Sequence, residues 1–189
     1  CGALILSSTA VRLGGICAPC SNGTRANIDA AKERYRRERE NPDALDVYWK
    51  DLTRRVYSSE GSFEALARPE KLFFAVNLVL GEVYNGGFDQ YFWNTSASYL
   101  CFAQEGLTEL GAVASLELLN QAVSVLFEGA PVPSGASERR SYLISISNDG
   151  ALPPSKVSRL EELDRQFWGD PDGLAVLMRS FARTHGLIA

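Results

Sequence analysis

The chain has 189 residues, of which 46% are hydrophobic and 22% charged, and its formal net charge is −4. This composition is typical of globular proteins and excludes the fibrous, collagen-like and disordered classes. The longest apolar run, residues 72–80, is interrupted by Asn77 and is far shorter than the ~20 residues that a membrane-spanning helix needs. We therefore predict a cytoplasmic protein without a transmembrane segment.

Charge is distributed unevenly along the chain. Residues 1–40 carry seven basic and four acidic side chains, a net charge of +3, whereas residues 41–189 carry twelve basic and nineteen acidic ones, a net charge of −7. This asymmetry, together with the motifs below, predicts three segments: a cysteine-bearing hairpin at 1–23, a basic connecting helix at 24–40 and a helical domain at 41–189. Glutamates alternate with the arginines of the connecting helix, so we do not expect nucleic acid to be the main partner.

Three cysteines near the start have the spacing of a metal-binding turn. Cys17-Ala18-Pro19-Cys20 is a CxxC motif, and fifteen residues separate Cys17 from Cys1. The intervening residues are compatible with a short β-hairpin, so the pattern is typical of half a zinc ribbon. We predict a structural zinc ion held by Cys1, Cys17 and Cys20, with a fourth ligand that is not in this sequence.

Two other interpretations fit the same cysteines. Cys1 could be a lipid-modified residue that follows a removed signal peptide, which would anchor the protein to a membrane. Cys17 and Cys20 could instead form a redox pair in an oxidising compartment. The remaining cysteine, Cys101, lies in the apolar stretch 99–102, and we expect it to be a small buried residue.

From residue 41 onward, hydrophobic residues recur with the period of a helix. Helices are predicted to open at Asn41-Pro42 and Pro69-Glu70, to cover about 96–111, 113–127, 137–146 and 155–168, and to open a last time at Asp170-Pro171. Residues 141–146 also alternate enough to form a strand. The predicted fold class is mainly all-α: a multi-helix globular domain preceded by the cysteine-bearing β-hairpin.

Residues 85–94, NGGFDQYFWN, combine two glycines, four aromatic side chains and three amides. Glycine adopts positive φ at little steric cost, so Asn85-Gly86-Gly87 is expected to end one helix and allow an aromatic helix to begin. Phe88 and Phe92 lie four residues apart and are expected to fill the core. The amides of this corner either tie the helix ends together or form a recognition patch beside the aromatic rings, and the first interpretation explains every position without a ligand.

No set of catalytic residues accompanies these features. The single histidine, His185, lies near the C-terminal end of the sequence and has no serine or cysteine motif around it. Gly86-Gly87 lacks the lysine of a phosphate-binding loop. Glu161, Glu162 and Asp164 stand among arginines, as is usual on a solvated helix face. We therefore predict a protein that is not an enzyme.

The corner resembles the signature of a bacterial family of helical domains of unknown function that is named after a DNA-mimic protein. The resemblance extends over about residues 46–185 and includes the late segment 163–167. It implies an all-α, non-enzymatic domain that binds another protein, in the eponymous case by presenting an acidic surface to a DNA-binding regulator. The residues that carry the signature are Asn85, Gly86, Gly87, Phe88, Gln90, Tyr91, Phe92 and Asn94.

Two functional hypotheses follow from these patterns. The first is a protein-binding module with an unidentified partner, which regulates a DNA-binding protein or acts as an antitoxin- or immunity-type partner through an acidic helical surface. A net charge of −7 over 149 residues is modest beside the charge of a DNA duplex, about one per ~1.7 Å, so the resemblance supports the fold better than the mimicry. The alternative is a zinc-dependent nucleic-acid-binding or regulatory protein that uses residues 1–40, with the helical domain forming a homodimer.

Overall fold

The computed structural model describes residues 2–58 and 62–189, without the side chain of Glu38. This part of the chain is mainly helical and contains no β-strand, which confirms the all-α class. It divides into two compact units, Cys1–Val47 and Tyr48–Ala189, the second of which we call the body. No helix in the described part of the chain has the length and apolar character that crossing a bilayer requires.

The predicted β-hairpin of the first unit is wrong. Residues 7–12 are helical instead, because the Ala10 N–H bonds to the Leu6 carbonyl at 2.9 Å and the Leu13 N–H to that of Thr9 at 2.9 Å. Short apolar runs do not distinguish a strand from one or two turns of helix. Cys1, which the hairpin and zinc predictions require, lies outside the described residues. The helices of this unit are α1 (Ser7–Arg12), α2 (Ala18–Ser21) and α3 (Arg25–Glu40).

The remaining helices follow the predicted order with shifts at their ends. The first of them begins later than Pro42, because Asp43 Oδ1 accepts the Leu45 N–H at 2.8 Å. Residues 141–146, for which a strand was also possible, are almost entirely helical. Short 3₁₀ helices cover Phe63–Ala65 and Thr95–Tyr99. The α-helices are α4 (Ala44–Tyr57), α5 (Arg68–Trp93), α6 (Leu100–Leu110), α7 (Val113–Phe127), α8 (Ala136–Ser145), α9 (Pro154–Trp168) and α10 (Leu174–Thr184).

Helix α5 lies at the centre of the body and packs against α6, α8 and α9. Its buried positions include the signature residues Phe88, Tyr91 and Phe92, each of which is completely enclosed. The Phe88 ring meets the Phe167 ring of α9 edge-on, with 5.4 Å between the ring centroids. One core prediction is wrong: Cys101 is exposed on α6. The enclosed aromatic rings hold the corner of α5 against the rest of the body.

Candidate functional site

Helix α5 is broken at Gly87, inside the signature. Gly87 has φ +82° and ψ −179°, a region that is essentially restricted to glycine. Directly after it, the Phe88 N–H donates to Asp164 Oδ1 of α9 at 2.8 Å. The carboxylate therefore caps the second segment of α5, because the first amides of a helical segment have no partner within it. The predicted break exists, although it occupies Gly87 alone and leaves Asn85 and Gly86 helical.

The charged sequence neighbours of Asp164 predict a solvated helix face. This prediction is wrong, because Asp164 is buried. Only 8% of the residue is exposed. Burial raises the pKa of its carboxyl, and the neighbouring charges of Asp89 and Glu161 raise it further, while the hydrogen bond from Phe88 opposes the shift. The space beside Gly87 is filled by the same carboxylate, since a Cβ on that glycine would lie 2.4 Å from Asp164 Oδ2.

Two of the three signature amides, Gln90 and Asn94, are hydrogen-bonded inside the body. Glu82, one turn before Gly86, accepts from Gln90 Nε2 at 2.7 Å, from Asn94 Nδ2 at 2.9 Å and from Ser96 Oγ at 2.7 Å. Three neutral donors thus share one carboxylate and join both sides of the break. A partner would have to displace these hydrogen bonds before it could use Gln90 or Asn94 for recognition.

A buried arginine closes the C-terminal end of α5. Arg139 of α8 is completely buried and donates to four backbone carbonyls, those of Phe92 at 2.7 Å, Asn94 at 2.5 Å, Pro133 at 2.9 Å and Ser134 at 3.2 Å. The last carbonyls of a helix have no partner within it and carry partial negative charge, so a guanidinium is well suited to this position. Burial lowers the pKa of Arg139.

Two aromatic side chains remain half exposed where α5 and α9 meet. Trp168 is 48% and Tyr84 is 46% exposed. Trp168 Nε1 donates to the Val83 carbonyl at 2.8 Å, and the Tyr84 ring lies 5.8 Å from the Phe167 ring. Desolvation raises the pKa of Tyr84, and the charge of Asp170 raises it further. Both rings are therefore anchored on one side and open to solvent on the other.

Carboxylates without ion pairs surround this junction. Among the residues that the structure describes, Asp89, Glu161 and Asp170 form no salt bridge, and Arg165 donates at 3.1 Å to the backbone oxygen of Glu161 rather than to its carboxylate. Elsewhere in the body about half of the described carboxylates form salt bridges, and exposed ones without a salt bridge, such as Glu117 and Glu138, are scattered. The pairs include Asp51–Arg54, Glu70–Arg55, Glu105–Arg68, Glu128–Lys156 and Glu162–Arg159. We call the set formed by Tyr84, Asp89, Glu161, Trp168 and Asp170 the corner face.

The corner face can be traced from its contacts. On α9, Glu161, Asp164 and Trp168 follow one another at helical spacing and so share one side of the helix. Asp164 meets the start of the second segment of α5, and Trp168 meets its first segment at Val83. Nearby, Asn85 lines a groove of about 480 Å³ together with Trp49, Asn77 and Tyr84. Of the signature residues, Asn85 is therefore among those open to solvent.

The cysteine motif forms a compact thiol site in the first unit. Cys17 Sγ accepts from Arg25 Nη2 at 3.0 Å. This bond, together with hydrogen bonds from the backbone and side chain of Cys20, lowers the pKa of Cys17 to about 7. No group of three potential metal ligands occurs within residues 2–58 and 62–189, and the positively charged guanidinium lies against Cys17 Sγ. The donors described here therefore do not make a zinc site by themselves.

Three residues that build the corner escaped prediction from the sequence. Glu82 lies eight residues before Gln90, a spacing of about 12 Å along a continuous helix, yet their side chains are hydrogen-bonded across the break at Gly87. Asp164 and Arg139 act on segments that are 76 and 47 residues away in the chain. An acidic residue one turn before a glycine pair is a weak local signal for the role of Glu82. Nothing in the local sequence pattern indicates the roles of Asp164 and Arg139.

The signature, the helical fold and the corner define a class of small all-α domains. A family model described as DMP19-like protein matches residues 64–185, about two-thirds of the chain. The chain therefore belongs to the DMP19-like protein family, and the first unit lies outside the matched region. Searches of the curated proteins and of the solved structures found no match.

Proposed function

We propose that the body is a protein-binding module that docks through the corner face onto a basic surface of another protein. It acts by binding rather than by catalysis. The observation that carries this proposal is the concentration of carboxylates without a salt bridge, those of Asp89, Glu161 and Asp170, beside two half-exposed aromatic rings. Of these, Asp170 also accepts the Leu174 N–H at 2.7 Å. Elsewhere on the body, about half of the described carboxylates lie next to arginines or lysines, and the other exposed ones have no such pair of aromatic rings assigned beside them.

The chemistry of this face matches a partner rich in arginine or lysine. Aromatic faces attract guanidinium and ammonium groups, and carboxylates pair with the same groups. Tryptophan and tyrosine are enriched among the residues that dominate binding energy at protein interfaces. Trp168 and Tyr84 would supply contact area, while the acidic side chains would steer and orient a cationic partner.

The interior of the corner supports this role because it fixes the face in advance. The Asp164 cap holds the two segments of α5 against α9, and the hydrogen bonds of Glu82 and Arg139 hold the second segment. A preorganised surface loses little conformational entropy when it binds. The signature residues would then act indirectly, by building the surface that the partner contacts.

Membership of the DMP19-like family and the net charge of −7 over residues 41–189 agree with a basic partner of the DNA-binding class. The scale of the interaction differs from that of a duplex mimic. Three carboxylates and two aromatic rings make a local docking patch, whereas imitation of duplex DNA would need a continuous row of charges. An antitoxin- or immunity-type pairing with a cationic protein would use the same patch.

Affinity capture from the native host, after nuclease treatment, tests this function. The baits are the wild-type chain, the variant Asp89→Asn/Glu161→Gln and the control Glu117→Gln/Glu138→Gln, which removes two exposed charges elsewhere. We expect a basic protein to be retained by the wild type and the control, and to fall at least about tenfold with the corner variant. Equal retention by all three baits, or no specifically retained protein, would contradict the proposal.

A further inference from the structure

The CxxC motif of the first unit brings two thiols and one guanidinium into contact. Cys17 Sγ accepts hydrogen bonds from Arg25 Nη2 at 3.0 Å and from the backbone and side chain of Cys20. Arg25 also forms a salt bridge with Asp29 at 3.5 Å. The guanidinium is therefore held between Cys17 Sγ and the Asp29 carboxylate.

The two cysteines differ in their exposure. Cys17 is 6% exposed, whereas Cys20 is only partly buried. A dissolved disulfide can therefore reach Cys20 more easily than Cys17. Cys17 is in position to attack Cys20 from inside, and Arg25 stabilises the negative charge that Cys17 carries before it attacks.

We propose that Cys17 and Cys20 form a reversible thiol–disulfide exchange site for small disulfides of the glutathione class, in which Cys20 is the entry thiol and Cys17 the resolving thiol. The site is independent of the corner face. The Arg25 guanidinium contacts Cys17 Sγ, and its positive charge favours this chemistry over zinc binding at that sulfur.

The exchange is balanced in two steps. The Cys20 thiol loses its proton to solvent, its thiolate attacks one sulfur of glutathione disulfide, the disulfide bond breaks, and one glutathione thiolate leaves and takes up a proton from water. The Cys17 thiolate, whose proton has also gone to solvent, then attacks Cys20 Sγ in the mixed disulfide and expels the second glutathione thiolate, which takes up a proton in turn. Two protein thiols are oxidised to one disulfide, and one glutathione disulfide is reduced to two thiols.

The reverse reaction depends on the same difference in exposure between Cys17 and Cys20. Glutathione attacks the accessible sulfur of Cys20, and Cys17 leaves as a thiolate that Arg25 stabilises. Good leaving thiols speed exchange, and a stabilised reduced form makes the disulfide easier to reduce. The pair should therefore be readily reduced, unlike a structural disulfide.

Redox titration of the full chain tests this proposal in a Cys1→Ser/Cys101→Ser background, which leaves only the two thiols. The protein is equilibrated with glutathione buffers of graded composition, quenched with acid, alkylated and weighed by mass spectrometry. We expect one reversible transition between dithiol and disulfide. In Arg25→Met the disulfide should persist at glutathione ratios roughly tenfold more reducing, in Arg25→Lys the shift should be smaller, and in the control Arg12→Met the midpoint should not move.

Single-cysteine variants test the order of attack. Cys17→Ser should accumulate one glutathione adduct on Cys20, whereas Cys20→Ser should react slowly, because Cys17 is buried. A persistent dithiol at the most oxidising ratio, independent adducts on both cysteines, or an unchanged midpoint in Arg25→Met would overturn the proposal. Stoichiometric zinc that copurifies with the protein and blocks alkylation would overturn it in favour of a metal site.

Discussion

Cys17 is the only buried residue among those described in the first unit, whereas the body encloses a continuous apolar core together with Arg139, Asp164 and two serines. Apolar side chains of the first unit, such as Leu4, Leu6 and Val11, are exposed. The body therefore gains stability from burial and long-range hydrogen bonds, and the first unit from a local contact between thiols and a guanidinium. Substitutions should consequently have very different effects in the two units.

The largest effect is expected from Arg139→Met in the body. Loss of the guanidinium leaves the carbonyls of Phe92, Asn94, Pro133 and Ser134 without their donor, which should lower the free energy of unfolding by about 3–5 kcal/mol. Urea unfolding followed by circular dichroism measures this change. The exposed control Arg183→Met should stay within about 0.5 kcal/mol of the wild type, and equal values for both variants would show that Arg139 does not hold the corner.

Gly87→Ala should have the second largest effect. The residue would be forced into a backbone region that disfavours side chains, and its Cβ would meet Asp164 at 2.4 Å, so we expect a loss of about 2–4 kcal/mol. Gly81→Ala is the matched control on the same helix, since open space surrounds that position. The control should gain up to about 1 kcal/mol, and a loss of similar size in both variants would contradict a special role for Gly87.

Asp164 should give a smaller effect with a distinctive pH dependence. Because its pKa is raised in the folded state, the ionised carboxylate opposes folding at neutral pH, and its contribution to stability improves as the pH falls towards its ordinary pKa. Asp164→Asn should remove this dependence and keep an acceptor for the Phe88 N–H. Asp164→Ala should lose the cap and about 1–2 kcal/mol.

Urea unfolding at a series of pH values checks both Asp164 variants. The free energy of unfolding of the wild type, relative to that of Asp164→Asn, should be higher at pH 4 than at pH 7. A difference that moves in the opposite direction would mean that the carboxylate is stabilised in its ionised form.

The smallest effect is expected from the first unit. All three tryptophans lie in the body, so fluorescence during unfolding reports on the body alone. Arg25→Met removes a contact of the first unit, and we expect the body's unfolding free energy to change by less than about 0.5 kcal/mol. A loss comparable with that of Gly87→Ala would show that the two units do not differ in the way proposed here.

The helices of the body were predictable because their apolar residues repeat with a helical period, as in α5 and α7. The break at Gly87 was predictable because glycine adopts positive φ at little steric cost, so a glycine pair between two apolar helical segments indicates a helix end. The resemblance of the signature to its family, carried by ten residues, is confirmed by the match to residues 64–185.

The rest depended on contacts that have no local signal. Asp164 was predicted to be solvated because its sequence neighbours are charged. In the fold it is buried and accepts the N–H of Phe88, 76 residues away. Arg139 caps carbonyls 47 residues away, and no periodic pattern encodes such a contact. The hairpin was predicted wrongly because residues 2–16 are too short for helix and strand periods to differ clearly.

The salt dependence of partner capture tests the corner face most directly. Capture of the partner by the wild-type chain and by Asp89→Asn/Glu161→Gln is compared over a range of ionic strengths, after equal folded fractions have been established by circular dichroism. We predict that wild-type capture weakens steadily as salt screens the carboxylates, while the variant captures little at any salt concentration. Equal, salt-independent capture by both proteins would contradict the proposal that the corner face binds a basic partner.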